Sequence, residues 1–202
     1  MTPEVPVTPA SLPAASLTAL QEAAAAAGLL VSSSASWPDT DEDGDVTALA
    51  GFIESNFSPL MAQVAGMALR DRELPPASGT VTAVVTVTAL GDVTSAIRVA
   101  SAVDAGERVS PLQFFQSVPN AVAGYVAAQW QLTGPVVCVS GTAAGLDMAA
   151  LLIEDGDADE ALVVRVDLAM TDGGDRDHAA AVLVTRPTDR AALDRINPEG
   201  EQ

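Results

Sequence analysis

The run Ser140-Gly141-Thr142-Ala143-Ala144-Gly145 is the stretch best arranged to do chemistry. It follows a short apolar run from Val136 and precedes Leu146 and a further helical pattern, so a side chain at its centre stands on a sharp strand-to-helix turn. Free N–H groups at a helix start favour negative charge, whether on a thiolate or a bound anion. A hydroxyl nucleophile at Ser140 or Thr142 would also need an adjacent general base, and none is visible beside the turn.

The remaining chemistry-bearing residues are scattered. Cys138, the one cysteine, excludes an internal disulfide and a cysteine metal cluster. On an alternating strand it shares a face with Val136 and Ser140 and reads as a small buried hydrophobe. His178, the one histidine, lies among Asp175 and Asp177 with no Cys, Ser or second His at recognisable spacing, so it reads as solvated or salt-bridged. Asp39, Asp41, Asp43 and Gly44 match the first half of a calcium loop, but Ala50 stands where the bidentate glutamate belongs. The stretch therefore reads as a solvated charge run in a surface loop. No Gly-x-Gly-x-x-Gly, Walker loop or paired zinc ligands occur, so neither a cofactor nor a metal is expected.

Several elements must position the central turn. Ser110 before Pro111, and Ser117 just before Pro119, read as N-caps followed by early-turn prolines, whose missing N–H costs nothing there. Val118, Val122, Tyr125, Val126 and Trp130 recur at helical spacing, with Ala and Gly keeping one side thin, until Gly134-Pro135 ends the helix. Upstream, a helix from Leu17 to Ala27 stops at Gly28 and a strand runs from Leu29 to Ser34 toward Trp37-Pro38. Ser58-Pro59 opens another helix, which ends before Pro75-Pro76. Val81 to Thr88 then reads as a strand covered on both faces, and Gly91-Asp92 turns into a helix through about Ala105. Downstream, the pattern gives a helix from Leu146 to Ile153, a buried strand from Ala161 to Leu168, a polar loop over 171–176 and a returning strand from Ala179 to Thr185. This alternation predicts an α/β fold with a mainly parallel sheet and a terminal hairpin.

The chain has 202 residues and a 49% hydrophobic share, enough for one domain with a full core. Aromatics supply only 3%, so Ala, Val and Leu must fill an interior of closely approached elements. Nine Arg against 27 Asp and Glu give a net charge of −18, which argues against nucleic acid and anionic membrane as partners. The N-terminal MTPEVPVTPASLPAAS lacks a basic region and is broken by prolines, so it reads as a disordered arm over 1–16. No apolar run approaches the roughly 18 residues of a membrane span, and a cytoplasmic protein is the default expectation. The domain is expected over 17–195, followed by a tail over 196–202.

The sequence SP-x-x-F-x-x-S-V-x-N-A-x-A-G-Y beginning at Ser110, the LTGP ending at Pro135 and the GDADEALVV beginning at Gly156 resemble the ketosynthase branch of the thiolase superfamily. The resemblance runs from about Thr80 to Thr185 and is closest to truncated relatives similar to the N-terminal half of a β-ketoacyl synthase, the chain-length factors of type II polyketide and polyene systems. It implies half of a thiolase-like α-β-α sandwich. In catalytic members the central turn carries a nucleophilic cysteine. Here the equivalent position is Ala143 when counted from Gly134-Pro135, or Thr142 when Ala144-Gly145-Leu146-Asp147 is set against the chain-length-factor pattern AGGLD. Two assisting histidines belong to the family's C-terminal half, which a truncated relative lacks.

The resemblance therefore implies a non-catalytic subunit that pairs with a full-length, active ketosynthase and helps shape its acyl tunnel. Acyl carrier protein, itself acidic, would be met indirectly through that partner. In relatives, side chains from the segment equivalent to Leu112 to Val118 reach the tunnel. Phe114 and Phe115 are thus the candidate tunnel floor, with Gln116 and Val118 nearby and Asn120 at the helix start. Two other readings stay open: a homodimeric scaffold or carrier-binding module, and a cysteine-independent decarboxylase or acyltransferase acting at Thr142 or Ser140.

Overall fold

The computed structural model describes residues 17–38, 46–52, 55–72, 78–169 and 176–187. The expected arm over 1–16, the tail over 196–202 and the acidic run Asp39 to Gly44 lie outside these residues. Among them the elements run α1 (Leu17–Ala26), β1 (Leu30–Trp37), α2 (Phe57–Arg70), β2 (Thr82–Val87), α3 (Val93–Asp104), α4 (Pro111–Gln116), α5 (Pro119–Trp130), β3 (Val136–Val139), α6 (Thr142–Glu154), β4 (Glu160–Asp167) and β5 (His178–Thr185).

The five strands form one sheet in the order β1-β5-β4-β2-β3. β2 pairs in parallel with both β3 and β4, whereas β5 runs antiparallel to its neighbours β4 and β1. Four strands thus point one way, and the returning hairpin strand β5 is the exception. Because side chains alternate, each inner strand feeds two cores. Leu162, Val164, Val166, Ala179, Ala181 and Leu183 face the layer holding α2 and α5. Ala161, Val163, Ala180, Val182 and Val184 face the layer holding α1 and α6. This is the α-β-α sandwich expected from the sequence. Alanines along β5 let helices approach the sheet closely, which is how a chain poor in aromatics fills its interior.

Helix boundaries depart from the sequence reading at three caps. Ser110 does cap α4, its Oγ accepting the Gln113 N–H at 3.2 Å while Gln113 Oε1 accepts the Ser110 N–H at 3.0 Å. Ser117, expected to cap α5, instead closes α4 by donating its hydroxyl to the Phe114 carbonyl at 2.7 Å, and Val118 is the α5 N-cap. Similarly, Ser58 lies inside the first turn of α2, behind Asn56, and Pro59 uses the orphan-donor position one turn in. α5 ends at Gln131, not at Gly134: Gln131 adopts φ 56°, and Leu132 donates back to the Ala127 carbonyl at 2.8 Å, a Schellman arrangement. Gly134 is needed for something else. Its N–H meets the Thr82 carbonyl at 3.1 Å, and a Cβ there would lie 2.5 Å from that same oxygen.

These close approaches yield a paired test. Gly134→Ala must push the start of β3 off β2 and should cost about 1–3 kcal/mol of stability. Gly124→Ala on α5, whose added Cβ meets nothing within 4 Å, should leave stability unchanged or raise it by up to about 1 kcal/mol. Urea denaturation midpoints of the two variants check both.

Candidate functional site

The central turn is built by β3, Gly141 and α6. Gly141 takes φ 92°, open to glycine and strained for other residues, and lets α6 begin at Thr142, four residues earlier than the apolar pattern from Leu146 suggests. Gly145 then lies against β2, where an added Cβ would overlap Val87 Cγ2. Of the two candidate nucleophile positions, Ala143 is exposed and Thr142 is half-buried. Arg165 on β4, 9% exposed, donates from Nη1 to Thr142 Oγ1 at 2.9 Å and pairs through Nη2 with Asp167 at 2.7 Å. A guanidinium stays protonated and has no free lone pair, so it cannot take the threonine proton. The carboxylate in this cluster faces the arginine. Among the described residues, the hydrogen-bond partner of Thr142 Oγ1 is thus a cation, which serves as an electrostatic anchor.

Cys138 is half-buried on β3, the sheet's edge strand, so it is less enclosed than expected from the sequence. Burial still pushes its thiol above the ordinary cysteine range. His178 opens β5 directly across from Asp167, half-buried. Among the described residues, no group of three or more His, Cys, Asp or Glu is placed to hold a metal, and no helix is long and apolar enough to cross a membrane.

The other predicted residues lie on α4 and at the start of α5, and the structure divides them. Phe115, Val118 and Asn120 come together with Phe52, Ala121, Gly124 and Tyr125 around an open groove of about 520 Å³. Phe114 lies outside that lining and is 65% exposed, while Gln116 is buried. α3 and α4 stand off the sheet: α3 packs on α4, and α4 on α5. Leu112, Phe114 and Phe115 are left exposed along α4 and Val118 at the start of α5, with Ile97 and Val103 on α3. β3, at one edge of the sheet, has no strand on its outer side among the described residues.

Sequence reasoning missed two features. Phe52 comes from a short turn before α2, in which Leu49 and Phe52 form an isolated antiparallel bridge. Nothing in the sequence marks it as a groove residue. The second feature was readable: residues 109–146 contain no Asp, Glu, Lys, Arg or His, in a chain of net charge −18. That run supplies α4, α5, β3 and the start of α6.

The family profile described as Beta-ketoacyl synthase, N-terminal domain, matches residues 55–195. No curated protein matches the chain's sequence. Among solved structures, the ishigamide ketosynthase/chain length factor is similar with a TM-score of 0.59 at 19% identity, over 72% of this chain and 49% of that one. The ketosynthase ApeO in complex with its chain length factor ApeC from Xenorhabdus doucetiae gives a TM-score of 0.57 at 18% identity, over 88% of this chain and 76% of that one. An oxazolomycin ketosynthase domain from Streptomyces albus JA3453 gives 0.51 at 18% identity, over 71% of this chain and 29% of that one. These likenesses establish a ketosynthase-type, thiolase-like fold, and the chain spans about half the length of the ishigamide protein.

Two outcomes follow from the turn. Arg165→Ala leaves the half-buried Asp167 without its cation and should cost about 1–3 kcal/mol, whereas Thr142→Val should cost about 1 kcal/mol, both read from chemical denaturation. At pH 8, iodoacetamide should alkylate Cys138 more slowly in the folded chain than in urea. The folded rate should climb as pH rises, because the raised pKa lowers the thiolate fraction at any given pH.

Proposed function

Since the chain belongs to the β-ketoacyl synthase N-terminal domain family, we propose that it is a non-catalytic, chain-length-factor-like subunit that pairs with an active ketosynthase and helps shape its acyl tunnel. The observation that carries this reading is an uncharged run of chain with exposed apolar side chains. Residues 109–146 lack every ionisable side chain except the Cys138 thiol and the Tyr125 phenol, and they leave Leu112, Phe114, Phe115 and Val118 exposed; the same run supplies β3, which has no strand on its outer side among the described residues. Depletion of charge with enrichment of aromatics is the composition of an interface core, not of a surface meeting water. An edge strand with free N–H and C=O groups is also a feature that stable folds cover or blunt.

Absence of catalysis is supported at the turn. Neither Thr142 nor Ala143 is a thiol, and the group touching Thr142 Oγ1 is a guanidinium. That arrangement weighs against the decarboxylase or acyltransferase reading, because a hydroxyl nucleophile works through a base. Contact with an acyl carrier protein would then fall to the ketosynthase partner, since two strongly acidic surfaces repel.

The two phenylalanines separate into different roles. Phe115 lines the groove and is a tunnel-floor residue; Phe114 lies outside it and is an interface anchor. In the co-expressed complex, Phe115→Ala should shift products to longer chains without loss of assembly, while Phe114→Ala should weaken co-purification of the two chains. Product analysis by mass spectrometry and gel filtration of the same preparations read the two effects. An unchanged product profile for Phe115→Ala would remove the tunnel-floor role.

A further inference from the structure

We propose that Phe52, outside the family-matched segment, forms the second wall of the α4–α5 groove and sets, together with Phe115, the length of acyl chain that the groove accepts. The inference rests on the partner-subunit reading above and extends it to a residue on a separate element. Gly51 turns the chain at φ 87°, and Phe52 donates its N–H to the Leu49 carbonyl at 3.0 Å across the bridge between those two residues. Its position is therefore fixed by backbone. The ring meets Tyr125 of α5 edge-on, with centroids 5.9 Å apart and planes at 73°, a geometry that adds to simple burial. Phe52 thus enters the groove from the turn before α2, and Phe115 from α4.

The occupant follows from the lining. Among the described residues that line the space, Asn120 supplies the one side-chain amide, Tyr125 the one phenol, and none is charged. A polar or ionised segment would lose its hydration there without replacement partners, whereas a hydrocarbon loses nothing. The volume, about 520 Å³, falls within the range of small-molecule sites, roughly 300–1,000 Å³. Ala121 and Gly124 keep the α5 side thin, and an added Cβ at Gly124 meets nothing within 4 Å, so the space beside the helix is open. An unbranched acyl chain is the ligand with that shape and that lack of polarity.

The test compares Phe52→Ala, Phe52→Leu and Phe52→Trp with Phe115→Ala in the complex co-expressed with its ketosynthase, reading product length and native mass together. The expected result is longer products, by at least one extension unit, for Phe52→Ala and Phe52→Leu, and shorter products for Phe52→Trp, all at wild-type assembly. Phe52→Leu preserves an apolar side chain and keeps the test informative where alanine impairs folding. Longer products from Phe115→Ala alone would overturn the role of Phe52 and leave the partner-subunit reading standing. Lost assembly for all three Phe52 variants would overturn it too, by making the groove a seat for partner side chains. No change from any variant would overturn both readings.

Discussion

Strand β2 can carry the site only because two glycines allow neighbouring chain to lie directly on it. Gly134 brings the start of β3 onto the Thr82 carbonyl, and Gly145 brings α6 onto Val87. Any side chain at either position would occupy space already filled. With those approaches in place, β3 joins the sheet in parallel, the turn at Gly141 lies over the end of the strands, and α5 and α6 cover opposite faces.

The distribution of charge then decides what the corner is for. A net charge of −18 disfavours contact with other acidic surfaces. Over residues 109–146 that rule is suspended, and the same segment offers exposed Leu112, Phe114 and Phe115 together with an open strand edge. A partner covering this segment gains apolar burial and sheet pairing without having to strip water from charges. At the central turn Thr142 is held by Arg165 and, through it, Asp167.

Much of the fold was legible because its signals are local. β-branched runs marked β2 and β4, Gly28 and Gly156 marked helix ends, and Ser110-Pro111 marked the α4 start. The errors share a cause, since each turned on which backbone group a residue meets once the chain is folded. Gly134 looked like a helix stop, but its small size serves Thr82, which left Gln131 to take the left-handed turn. Ser117 capped backward, onto the Phe114 carbonyl, rather than forward. The site was legible in outline: α4 was found from its motif, yet nothing in the motif separates Phe115, which faces the groove, from Phe114, which does not. Phe52 was invisible because a turn residue acquires meaning only when folding sets it against Tyr125. Arg165 and Asp167, two apart on one strand, share a face by simple alternation and were readable as a pair, but their contact with Thr142 was not.

The central claim is that the exposed apolar residues of the 109–146 run are made to be covered by a different chain. Native mass spectrometry of this protein, purified alone and after co-expression with a full-length ketosynthase that keeps its cysteine, tests that claim most directly. The account predicts a stable one-to-one complex, and a lone chain that self-associates or fails to stay in solution. A lone chain that remains monomeric, soluble and indifferent to every ketosynthase offered would contradict it.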